Sequence, residues 1–122
     1  MILKWHKQIK PRNCGQIAVA VITGKSVKEI ENYIGHDHCT KTKHLSRALN
    51  HYGFVCGNRL LCLKEKPILA IAKLMHPQRK GWHWVVIYKD KIYDGAWGKR
   101  NGTVEWLHGY RITSYLPINP KE

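Results

Sequence analysis

The sequence predicts a single α+β domain spanning residues 1–122. Three observations lead there. Helical signals cluster in the first half of the chain and strand signals in the second, the segregation expected of α+β proteins. No repeat, low-complexity segment or Pro/Gly/Ser-rich linker divides the chain. With 122 residues, 43% hydrophobic and 24% charged, the chain has the size and composition of one globular domain. That composition argues against intrinsic disorder.

The first helix is expected from Cys14 to Gly24. Asn13 suits the N-cap, where a side-chain oxygen accepts from a first-turn amide, and Gly24 suits the stop. The Ile17-Ala18-Val19-Ala20-Val21-Ile22 run between them is apolar all round, which predicts a central helix. A second helix opens on the capping-box pair Ser26 and Glu29, sets Val27, Ile30 and Ile34 on one face, and ends at Gly35. A third runs from about Lys43 to His51, with Leu45, Ala48, Leu49 and Tyr52 as its buried stripe and Gly53 beyond it. Strands follow at about Phe54–Cys56, Leu60–Leu63, Ile68–Leu74 and His83–Tyr88. A tight turn near Asp90-Lys91 leads into Ile92–Asp94, and a last strand covers Tyr110–Leu116.

Twenty-one Lys and Arg against eight Asp and Glu give a net charge of +13. Such a surface attracts anions, whether nucleic acid, acidic protein or headgroups. No segment reaches the roughly 18 consecutive apolar residues of a membrane span. The start, MILKWHKQIK, lacks the apolar stretch of a secretion signal. These features predict a cytoplasmic protein with no membrane association. In that compartment Cys14, Cys39, Cys56 and Cys62 are expected as free thiols. Asn101-Gly102-Thr103 matches a glycosylation acceptor but reads as a turn.

Four residues carry the chemistry when taken together: Gln8, Cys14, His83 and Asp94. Cys14 falls in the first turn of the first helix, where unpaired amides and the helix dipole favour a thiolate nucleophile. His83 opens a strand between Trp82 and Trp84, placed to take the thiol proton and return it to a leaving group. Asp94, beyond the hairpin turn, is placed to hold the imidazole in one tautomer. The Gln8 side-chain amide can join the Cys14 backbone N–H in stabilising an oxyanion. A turn centred on Asp90 sets Asp94 nearly opposite Val86, an offset from His83 of about 10 Å along the strand. A bulge, a strong twist or an early end of pairing must close that gap, and Asn101 is the reserve orienter.

Gln8-Ile9-Lys10-Pro11-Arg12-Asn13-Cys14-Gly15, together with His83-Trp84-Val85-Val86-Ile87 and Ile92-Tyr93-Asp94-Gly95, resembles the papain-like cysteine peptidases. The nearest branch is the bacteriocin-leader-processing, or double-glycine, peptidases. The resemblance covers Gln8 to about Trp97. It departs at Asp94-Gly95, where relatives often carry Asp-Pro, and many leader-processing relatives are fused to a transporter. The resemblance implies N-terminal helices packed on a C-terminal antiparallel sheet. It also implies Cys14 as nucleophile, His83 as general base, Asp94 as its orienter and Gln8 as oxyanion donor. The implied reaction cleaves a peptide or isopeptide bond through a thioester and needs no cofactor. Trp82, Trp84 and Trp97 are the expected cleft walls.

Other readings stay open. The same machinery performs deamidation, transglutamination and acyl transfer, which differ only in the acceptor. A non-enzymatic nucleic-acid binder is suggested by Lys4, Lys7, Lys10, Arg12, Lys41, Lys43, Arg47, Arg79, Lys80, Lys99 and Arg100, interspersed with tryptophans. No recognised nucleic-acid motif accompanies them. His36, His38, Cys39 and His44 are all possible zinc ligands, but their spacing follows no zinc pattern and no CxxC accompanies them. The expected metal content is none.

Overall fold

A computed structural model describes residues 1–98 and 102–120. Three helices precede a six-stranded antiparallel sheet, so the chain is an α+β protein. The helices are α1 (Cys14–Thr23), α2 (Val27–Ile34) and α3 (Thr42–His51). The strands are β1 (Val55–Cys56), β2 (Leu69–His76), β3 (Arg79–Tyr88), β4 (Lys91–Tyr93), β5 (Thr103–Val104) and β6 (Arg111–Asn119). Their order across the sheet is β1-β6-β2-β3-β4-β5. Among the described residues no helix is long and apolar enough to cross a membrane.

Every residue of α1 from Cys14 to Ile22 is buried. The helix packs against β3 with α2 and α3 beside it. Leu69, Ile71, Trp84, Val86 and Tyr88 meet it from the sheet. Alternate residues of the same strands, Ala70, Ala72, Leu74, Val85 and Ile87, form a second cluster with Tyr115, closed by Trp97, Tyr110 and Ile112. Both faces of β2 and β3 are therefore covered, which is why these strands read as near-continuous apolar runs.

The caps explain the helix ends. Gly24 and Gly35 take left-handed φ values of 74° and 99° and donate to the Ala20 and Glu31 carbonyls. Ser26 accepts from the Glu29 amide at 3.1 Å. The capping box is only half formed, because the Glu29 carboxylate turns instead to the Tyr52 hydroxyl. Asn13 holds the N-cap position of α1 but makes no side-chain cap, contrary to expectation. Its Nδ2 donates to Glu31 Oε2 at 3.1 Å, which draws the side chain toward α2 and away from the helix axis.

Four sheet features differ from the sequence reading, the first being that β3 starts at Arg79, so His83 lies inside the strand and does not open it. Leu60–Leu63 forms no strand; Leu61 makes a single bridge to Tyr115. The two-residue strand β5 carried no alternation to mark it. The hairpin turn falls at Lys89-Asp90, with φ of 48° and 66°, so its centre lies half a residue before Asp90 and the pairing shifts by one residue. Two successive positive φ values match the right-handed twist of a hairpin and give the register Val86↔Tyr93.

Candidate active site

That one-residue shift decides where Asp94 lies. Continuing the register sets Asp94 opposite Val85, not Val86. A one-residue slip moves a side chain to the other face of a sheet. Asp94 thus shares its face with His83, two positions along, a diagonal separation of about 7–8 Å that side chains span readily. The expected gap of about 10 Å does not arise, and no bulge between His83 and Val85 is needed. His83 Nε2 and Asp94 Oδ2 lie 2.7 Å apart. Asn101, the reserve orienter, lies outside the described residues, as do Lys99 and Arg100.

Asp94 is 2% exposed and fixed through every polar group it has. Its Oδ1 accepts from the Ala96 amide at 2.7 Å. Its own N–H donates to Gly102 O at 3.0 Å, and its carbonyl accepts from the Gly98 amide at 2.9 Å. The same carbonyl accepts from Trp5 Nε1 at 3.0 Å. The N-terminal segment thus straps the loop, with Gln8 N donating to Gly95 O at 2.8 Å. Gly95 permits the approach, since a Cβ there would lie 2.8 Å from His6 O and from Ile17 Cγ2.

His83 meets Cys14 as well. Burial disfavours the charged ring, but hydrogen bonds with Asp94 and Cys14 outweigh it, and the imidazole pKa rises to about 9. Because Nε2 is engaged by Asp94, Nδ1 is the nitrogen left for the Cys14 sulfur. Trp97 covers the ring, with centroids 4.7 Å apart. Cys14 begins α1, where the missing Asn13 cap leaves the first-turn amides without a side-chain acceptor. Gly15 lets the α2–α3 connection approach this turn: a Cβ would fall 1.9 Å from Thr40 Oγ1.

Cys14 and His83 share a cleft of about 300 Å³ with Trp82, Trp84, Arg12 and Lys80. The Thr40 carbonyl accepts from both indoles, at 3.1 Å from Trp82 and 3.2 Å from Trp84. Trp82 and Trp84 stand as the expected walls, whereas Trp97 lies over the imidazole. Thr40 and Tyr110 were not singled out from the sequence; no local pattern marks residues that join the site by contacts with distant segments, as Thr40 does across 42 and 44 positions.

Gln8 is placed differently from the other three. Its Nε2 donates to Lys10 O at 2.9 Å, and its Oε1 is buried without a partner. The structure therefore brings Cys14, His83 and Asp94 together and holds the Gln8 amide on its own segment. His36 and His38 of the α2–α3 connection stack with ring centroids 3.9 Å apart, and His36 meets the His44 ring of α3 edge-on at 5.3 Å, while His44 Nδ1 accepts from the Lys41 amide at 2.9 Å. Among the described residues no group of three His, Cys, Asp or Glu side chains can hold a metal ion. The four cysteines are unpaired thiols.

A thiol, an imidazole bonded to it and a buried carboxylate on the far ring nitrogen make a nucleophile–base–orienter arrangement suited to acyl transfer. No family model matches the chain, and no curated protein matches it significantly.

Proposed function

We propose that the chain is a papain-like cysteine hydrolase that cleaves peptide or isopeptide bonds. One observation carries this reading: His83 Nε2 is held by buried Asp94, and the same imidazole meets the Cys14 thiol in one cleft. With the imidazole pKa near 9, His83 is an imidazolium at neutral pH and holds the proton that a departing amine needs.

Cys14 Sγ attacks the substrate carbonyl carbon, and the resulting oxyanion takes the Cys14 backbone N–H. A second donor is available if the Gln8 amide releases Lys10 O. The C–N bond breaks as His83 gives its proton to the departing amine, leaving a thioester on Cys14. Water then attacks the thioester while His83 takes its proton. The C–S bond breaks and the thiolate–imidazolium pair returns. A cytoplasmic setting fits four unpaired thiols.

Iodoacetamide labelling followed by mass spectrometry tests the reading. Cys14, although buried, should label faster at neutral pH than exposed Cys39 and Cys62. Burial pushes the Cys56 thiol up, so it should label slowly. Cys14→Ala should abolish hydrolysis of peptide substrates and leave the circular dichroism spectrum intact, whereas Cys39→Ala and Cys62→Ala should retain turnover. Hydrolysis by Cys14→Ala would reject the assignment.

A further inference from the structure

The cleft at Cys14 carries a charge pattern that the hydrolytic reaction does not require. Arg12 stands on its rim two residues before the nucleophile, and Lys80 stands on it three residues before His83. Both are exposed, and no Asp or Glu lines the cleft. Among the described residues neither cation has a carboxylate partner. Nearby acidic groups are committed elsewhere. Glu31 and Asp37 both hold Lys10, at 3.0 and 3.1 Å, and Asp94 holds His83. Glu29 serves Tyr52. Trp82, Trp84 and Tyr110 line the same cleft and supply apolar contact and low dielectric beside the two cations. Two unpaired cations in such a cleft, beside a nucleophile, form a receptor for an anion on the molecule being attacked.

We infer that the substrate is an acidic peptide segment carrying a carboxylate within about two residues of the scissile bond, held by Arg12 and Lys80. This rests on the reading of Cys14 as the nucleophile. The distance follows from the cleft: Arg12 and Lys80 line the same space of about 300 Å³ as Cys14, and an extended peptide laid in it advances about 3.4 Å per residue. The local absence of carboxylates selects against basic substrates as much as it attracts acidic ones.

The test separates recognition from hydrolysis by using two reagents of nearly equal shape. The intact protein is treated at neutral pH and low salt with iodoacetate, which carries a carboxylate, or with neutral iodoacetamide, and modification of Cys14 is followed by mass. The His83 imidazolium favours the anion in any variant, so the informative quantity is the rate ratio of the two reagents. That ratio should fall about threefold to tenfold in Arg12→Gln/Lys80→Gln, the size expected for two exposed ion pairs. It should fall similarly when salt is raised. Internally quenched peptides with Glu or Lys at each of the two positions flanking the scissile bond give the second readout. Wild type should prefer Glu at one position in kcat/KM, and Arg12→Glu/Lys80→Glu should reverse that preference. An unchanged reagent ratio and an unchanged Glu/Lys preference overturn the inference while leaving Cys14 a nucleophile. Failure of either reagent to modify Cys14 overturns the nucleophile assignment itself. Protection of Cys14 by a single-stranded oligonucleotide but not by polyglutamate overturns the peptide assignment in favour of nucleic acid.

Discussion

His83 combines two opposing effects: desolvation resists its charge, and its bonds to Asp94 and Cys14 favour it strongly enough to lift the pKa from 6.5 to about 9. A raised imidazole pKa in the folded state stabilises the fold fully below the unfolded value, near 6.5, and the gain disappears as pH climbs through 9. The shift corresponds to about 3 kcal/mol. Urea midpoints measured at pH 6 and pH 9.5 should therefore differ for the wild type. The difference should shrink in Asp94→Asn; an equal difference in both proteins would mean that Asp94 does not set the charge. Turnover should fall above about pH 9, where His83 loses the proton it gives to the leaving amine. Asp94→Asn should also lower kcat by on the order of 10³–10⁴-fold, as when a carboxylate orienting an imidazole is lost elsewhere.

At the level of elements, α1 presents Cys14, the proposed nucleophile, from a first turn that is uncapped and tightly packed. Asn13 bonds to Glu31 on α2, and Gly15 admits Thr40. An alanine at Gly15 must displace Thr40, whose carbonyl holds both cleft indoles. Gly15→Ala should cost about 1–3 kcal/mol by overpacking and lower kcat/KM as Trp82 and Trp84 shift. Chemical denaturation and steady-state kinetics on the one variant read both effects. The β3–β4 hairpin contributes through its turn. Lys89 and Asp90 both adopt positive φ, and the register they set brings Asp94 to the face of His83. Lengthening that turn by one residue should break the His83–Asp94 bond without unfolding β2, β3 and β6. Nuclear magnetic resonance of the imidazole protons would detect that loss.

Across the whole molecule, the site is assembled from segments far apart in sequence. Trp5 reaches the Asp94 carbonyl across 89 positions, and the Tyr88 hydroxyl donates to Met1 O across 87. The N-terminal strap thus holds the loop that carries Asp94. Trp5→Ala should lower the melting temperature and reduce kcat more than it raises KM, because it frees the loop that orients His83 while leaving the cleft walls in place. An effect confined to KM would show that the strap acts on substrate binding instead.

The α+β class, the three helices with their glycine stops, and the strands containing His83 and Asp94 were legible in the sequence because caps and apolar periodicity act over a few neighbouring residues. Cys14, His83 and Asp94 were legible as chemically apt residue types at suggestive positions. Tertiary structure alone decided that they meet. The meeting depends on a strand pairing shifted by one residue from the one composition suggested, and on Asn13 being drawn to Glu31. The Gln8 amide rests on Lys10, the indoles converge on Thr40, and Arg12 and Lys80 line one cleft. The contacts to Glu31 and Thr40 join segments 18 to 44 positions apart, and such geometry carries no mark in local sequence.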